Sequence, residues 1–320
     1  FAAAQAGETV VMLRNVTEVV NINKTVTFDM AGFTLTGSIL APNANLTVAN
    51  GTIINNDKGV SAIEINAGKL TLNAVNISSE RHAVRIDGAV VATVNGGKYY
   101  SGTTGGTRHA LNVSGNATVT ILDGEFFGPK GTTADSGSAV NVQSGATVAI
   151  SGGEFSGGKR NTLASSGTAA LLLKGGKYHQ GYPEQGDQFK QYCAPGYMTV
   201  KDGDWYTVVE AVAKIDEKYY ATLQSAFAAA QAGETVVMLR NVTEDFAINN
   251  TAAVTFDMAG KTLTGAIMPS TANLTVKSGT IVNNNASYSA IEINSGSIVL
   301  NEDVKVSSVR HAIRIDGAVA

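Results

Sequence analysis

Two Arg-His pairs carry the most chemistry in this sequence. Arg81-His82 and Arg108-His109 each precede the same short pattern, and Arg310-His311 repeats the first pair much later. Guanidinium stays charged at any ordinary pH, while imidazole titrates near neutrality. On adjacent turns of a fold, such pairs repel unless something anionic lies between or across them. An acidic glycan or a surface carboxylate fits that role. Plain solvation fits too, with Glu64 and Glu80 as local counter-charges. Arg81, His82, Arg85, Arg108 and His109 are therefore the candidate ligand-binding residues, expected at exposed corners with Arg85 pointing outward nearby.

The acids form no comparable cluster. Asp29 and Asp257 sit in one repeated turn, Asp87 and Asp316 in a repeated Arg-Ile-Asp-Gly, and Asp123 and Asp135 stand alone. Polysaccharide hydrolases and lyases need carboxylates gathered for acid–base work or for calcium. There is no metal-ligand spacing, nucleophile–base pair or phosphate loop. No catalytic residue, metal or cofactor is assigned, and the Gly-Gly pairs read as turns.

The elements that position the Arg-His pairs are repeats. Ala62-Ile63-Glu64-Ile65, Ala83-Val84-Arg85-Ile86, Ala110-Leu111-Asn112-Val113 and Ala139-Val140-Asn141-Val142 share one form: Ala, apolar, outward, apolar. Alternating runs follow, several closing on Gly, a charge and an aromatic: Gly97-Lys98-Tyr99, Gly124-Glu125-Phe126, Gly153-Glu154-Phe155 and Gly176-Lys177-Tyr178. Alternation buries one face of each strand. One such unit cannot cover its own apolar face, but stacked coils can. The expected fold is all-β, a right-handed parallel β-helix, with excursions over 101–108 and 128–138. A set of antiparallel sandwiches is the competitor. The recurrence of like strands one coil apart favours the solenoid, with Ile63, Ile65, Val84, Ile86, Leu111, Val113, Val140 and Val142 stacked inside.

A much longer repeat overlies the short one. Phe1–Glu18 is identical to Phe227–Glu244, and Thr27–Gly32 returns as Thr255–Gly260. A period of this size marks a repeated domain. Within it, Thr222 to Gly233 reads as an amphipathic helix with Thr222 as N-cap and Gly233 just past its end. The stretch 189–209 is rich in aromatics, where repetition of coils stops. The expected organisation is a β-helix of one unit over 1–188, an aromatic closure and junction over 189–212, capping strands and helix over 213–233, and the first coils of a second unit over 234–320. Trp205, Tyr219, Leu223 and Phe227 are the expected junction residues. Phe1–Ala6, the tail of the same helix, is expected to fray unless a neighbouring unit covers it.

Composition excludes several classes. The formal net charge is −3, so general attraction to nucleic acid is not implied. No apolar run is long enough to span a bilayer. Cys193 is the only cysteine, so no disulfide forms within the chain, and its aromatic surroundings suggest a small buried hydrophobe. Thr93, Thr118 and Thr147 read as ladder residues interrupted by varied neighbours, not as a flat row.

Tyr219 to Leu239, Val254 to Gly265 and Gly196 to Val208 together resemble the tandem pectin-lyase-like β-helix regions of large surface proteins and adhesins of Gram-positive, often anaerobic, bacteria. The resemblance implies an extracellular, cell-surface or wall-attached location. It implies a structural and adhesive function, with tandem units joined end to end as a stalk or fibre. The implied partners are neighbouring units of the same kind and host or microbial glycans. The alternative on the same fold is a polysaccharide-active lyase or hydrolase, or a glycan-binding module.

Overall fold

The computed structural model describes residues 1–320 except 103–107, 130–136, 158–160, 181–186, 250, 269–271 and 318–320. The chain winds as a β-solenoid of about 12 turns with mostly parallel strands. It divides into two compact units: Phe1–Ala194 with Thr199–Val208, and Pro195–Met198 with Val209–Ala320.

In the first unit, like residues stack on like. One inward column runs Ile39, Ile63, Val84, Leu111, Val140, Leu163, in parallel register throughout. A second runs Ala41, Ile65, Ile86, Val113, Val142. The eight residues expected inside are all at most 1% exposed. The alanines that open each pattern, Ala62, Ala83, Ala110 and Ala139, are also fully buried. Both long excursions fall largely on residues 103–107 and 130–136, outside the described residues.

The Gly-charge-aromatic signature has a steric origin. Gly97 has φ +104° and Gly153 +99°, a region that side chains disfavour. A Cβ at Gly97 would lie 2.1 Å from the Val75 carbonyl oxygen of the preceding coil. The turn brings each following aromatic inward. Tyr99, Phe126, Phe155 and Tyr178 form a continuous ring stack, with centroids 4.6, 5.1 and 5.0 Å apart. Phe189 extends it at 5.2 Å and Tyr206 lies 5.6 Å beyond. Parallel stacking then stops. Strand Trp205–Glu210 pairs antiparallel with Lys177–His179, placing Tyr206 on Tyr178 and Trp205 on His179.

The second unit begins with the expected hairpin, Ala213–Ile215 against Lys218–Tyr220. Its helix is Leu223–Ala229, N-capped by Thr222, whose side chain accepts from the Ser225 amide. Glu244 adds a second cap: its carboxylate accepts the Leu223 and Gln224 amides, each at 2.9 Å. The helix ends earlier than its sequence suggests. Ala230 is already extended, so Gly233 is not the residue that stops it; it lies in the following turn at φ +84°. Leu223, Ala226 and Phe227 are buried on one face, and Phe227 stacks on Phe246 at 5.2 Å and meets Phe256 edge-on at 5.3 Å.

Of the expected junction residues, Leu223 and Phe227 thus belong to the second unit's own core. Tyr219 is half-buried in the hairpin, opposite Lys214. Trp205 belongs to the first unit, half-buried, with the Lys177 ammonium 4.9 Å above its ring. At the start of the chain the Phe1 ring meets Phe28 edge-on at 4.9 Å, and Lys24 donates to the Ala2 and Ala4 carbonyls. Cys193 is only half-buried, with its thiol pushed up to about 11 by burial.

Candidate functional site

The Arg-His pairs occupy one corner of the first unit's coils, beside the strand face that carries the columns just described. The outward residues of that face stack as Glu64, Arg85, Asn112, Asn141, Ala164. Between this column and the corner lies an open groove of about 680 Å³.

His82 and His109 are brought together as the sequence implies, with rings parallel within 4° and centroids 5.4 Å apart. They are not exposed corner residues. Both are buried, at 8% and 6% exposure. The reason is a backbone need that only stacking reveals. His82 Nδ1 accepts the His109 amide at 3.0 Å, and His109 Nδ1 accepts the Ser138 amide at 2.9 Å. The rings satisfy amides at a corner where the sheet ladder turns. An accepting Nδ1 assigns the proton to Nε2.

Burial holds both rings neutral. His82 is pushed down to about 3, first by burial and then by the charges of His109, Arg81, Arg108 and Arg85. His109 is pushed down to about 4 by burial. The two rings therefore add no charge, and the cations of the two pairs are Arg81 and Arg108.

The arginines are tethered. Arg81 donates to the Gly59 carbonyl and lies 3.4 Å from Glu64. Arg85 pairs with Asp87 at 2.9 Å, and Asp87 also accepts the Ser114 hydroxyl at 2.7 Å. Arg108 is half-buried, and its Nε makes no hydrogen bond among the described residues. Of the two counter-charges that the sequence suggested, Glu64 and Glu80, Glu64 pairs with Arg81.

Sequence reading missed the rest of the groove. Asn112 and Asn141 are outward yet buried, and Asn141 Nδ2 donates to Asn112 Oδ1 at 2.7 Å. Ser114 and Ser138 also line it. The signal was present: both asparagines fill the third place of the Ala-apolar-X-apolar pattern that also holds Glu64 and Arg85.

The second unit reproduces the first coil of this arrangement. Arg310 donates to the Ser287 carbonyl as Arg81 does to Gly59. Arg314 pairs with Asp316 at 2.8 Å as Arg85 does with Asp87. Ser289 donates its amide to Glu292 as Ser61 does to Glu64. His311, by contrast, is exposed.

Other acids have structural partners. Asp29 and Asp257 each accept the amide two residues on, at 2.9 and 2.8 Å, in the repeated turn. Asp135 lies outside the described residues. Asp87, the carboxylate lining the groove, is already engaged by Arg85 and Ser114. Two-carboxylate glycoside cleavage needs a second acid across the scissile bond. No group of three or more His, Cys, Asp or Glu able to hold a metal occurs among the described residues, and no described helix is long and apolar enough to cross a membrane. What the groove offers is hydrogen bonding: guanidinium, imidazole, amide and hydroxyl groups in register on successive coils.

Comparison with known proteins adds no relative: no family model matches this chain, and neither a curated protein nor a solved structure does.

Proposed function

We propose that this chain is part of a structural and adhesive surface protein, in which tandem β-solenoid units form an extended stalk or fibre and present the same outer face repeatedly. The observation that carries this reading is the continuity of the inward ladders, combined with the return of Phe1–Glu18 as Phe227–Glu244. Ladders give stiffness, since each coil is held by its neighbours. A long repeat gives valency, which raises avidity without strengthening any single contact. The outer groove of the first unit is the contact face, and its ligands are glycans or other surface groups of a host or a neighbouring microbe. Partners of the shaft are further units of the same kind. An extracellular location on the cell surface or wall accords with this reading.

Electron microscopy of the native material tests it: filaments with an axial repeat matching one long-repeat unit are the expected result, and compact separate particles would overturn it. The alternative is a polysaccharide-cleaving enzyme, and the groove beside Asp87 is what favours it. Release of shortened oligosaccharides from a polysaccharide panel, lost on Asp87→Asn, would establish cleavage in place of adhesion.

A further inference from the structure

We propose that the groove of the first unit binds the carboxylate of an acidic oligosaccharide, held by Arg85 and by the Nε2–H groups of His82 and His109, with the Asn112–Asn141 pair taking ring hydroxyls on the following coils. This rests on the adhesive reading and names the ligand of its contact face.

The charge balance points to an anion. Arg81, Arg85 and Arg108 all bear on His82, against Glu64 and Asp87. Arg81 is spent on Gly59 and Glu64, so it shapes the wall of the groove. Arg85 gives one Nη nitrogen to Asp87. Guanidinium carries five N–H donors in a planar fork, and a carboxylate takes two of them side by side. The histidines add neutral donors, because their Nδ1 atoms accept backbone amides. A donor-rich corner of this kind prefers an acceptor that brings its own charge.

The rest of the groove selects a sugar over an acidic peptide. Ala164 is the one apolar side chain lining it among the described residues, so there is no pocket for a peptide's apolar side chains. Asn112 and Asn141 instead offer amide donors and acceptors one coil apart. Coils rise by about 4.8 Å, the order of one pyranose ring along a chain. A linear glycan along the solenoid axis would meet one polar rung per residue. The recurrence of the Arg–Asp pair and its tethers in the second unit places the same first rung in each long repeat.

The test is calorimetric titration of the whole chain with three probes: a linear hexuronic-acid trisaccharide, its carboxyl-reduced neutral counterpart, and a glutamate-rich peptide. The acidic sugar should bind, and carboxyl reduction should weaken it about tenfold or more, as expected for loss of a charge-assisted hydrogen bond. Arg85→Gln should produce a similar loss with an unchanged melting curve, because its side chain is one-third exposed. Arg14→Gln, exposed and outside the groove, should change nothing. His109→Gln is a second variant, read together with circular dichroism because the ring also accepts a backbone amide. Equal binding of acidic and neutral sugars overturns the carboxylate assignment. Tighter binding of the peptide makes the groove a protein-docking site and overturns the sugar. Absence of binding by all three, with filaments intact under the microscope, overturns this ligand but leaves the stalk reading standing. Binding without filaments does the reverse.

Discussion

Phe1–Glu18 and Phe227–Glu244 have the same eighteen residues and different structures. Phe227 is 1% exposed in a helix, whereas Phe1 is half-buried in a turn. Val236 is fully buried and Val10 half-exposed. Glu244 caps the helix that Leu223 begins, while Glu18 is exposed. The difference lies in what packs alongside. Strand Thr235–Met238 has a parallel partner on one side and Ala213–Ile215 antiparallel on the other. Strand Thr9–Val11 pairs, among the described residues, with Val26–Asp29. Burial of these residues thus follows which strands stack on them: the same eighteen residues are core where Ala213–Ile215 and the helix pack alongside.

The sharpest way to test that comparison is to charge the shared phenylalanine. Phe227→Asp removes a buried ring, worth about 3–5 kcal/mol, and leaves a carboxylate among Phe246 and Phe256. Limited proteolysis should open residues 210–233, while the coils over 62–150 stay protected. Phe1→Asp should cost far less, and equal sensitivity of the two variants would dissolve the distinction.

The repeated Arg-Ile-Asp-Gly offers the next contrast. Ile86 is fully buried, and its counterpart Ile315 is 57% exposed. Ile86→Ala should destabilise the first unit by about 2–5 kcal/mol, with Ile315→Ala below about 1 kcal/mol. Denaturant melts of the two variants provide the comparison.

Acid should then loosen the first unit. His82 and His109 have folded-state values near 3 and 4, below the unfolded value of about 6.5. Between these limits the unfolded chain holds more protons, so stability falls as pH falls. The histidine contribution is fully present above about 6.5 and lost by about 3, each unit of depression being worth about 1.4 kcal/mol. Hydrogen exchange at the His109 and Ser138 amides should quicken across that window. His82→Gln/His109→Gln should flatten the dependence in the first unit.

The smallest effect belongs to the cap. Thr222→Ala removes one acceptor from the helix N-terminus and should cost about 1 kcal/mol, and less than the pair Thr222→Ala/Glu244→Gln. Thermal melting of the second unit reads both. A Glu18→Gln variant should leave the first unit's melting unchanged.

The inward columns were legible because period-two alternation is local: Ile63, Ile65, Val84 and Ile86 declare their face within four residues. The ring stack was legible through glycines that turn each aromatic inward. The buried histidines were not, since the amides they accept come from the next coil, 27 and 29 residues on. The groove's asparagines were hidden for a similar reason, because outward polarity reads as solvation until a corner folds over it. The threonine column was missed outright. Thr9, Thr27, Thr47, Thr71, Thr93 and Thr120 stack without a break, while Thr118 and Thr147 belong to the column beside it. Coil length changes at nearly every turn, so no fixed spacing in the sequence connects the six.

The antiparallel strand that closes the first unit has an optical consequence. Trp205 is the only tryptophan in the chain, and it sits on that strand, with the Lys177 ammonium over its ring and the His179 ring in edge contact. A cation held over an indole shifts its emission, and separation of the two strands would release it to water. The colour of this protein's fluorescence is therefore a gauge of one closure alone. Melting followed by tryptophan emission will see the first unit open, and melting of the second unit alone will pass without a change in hue.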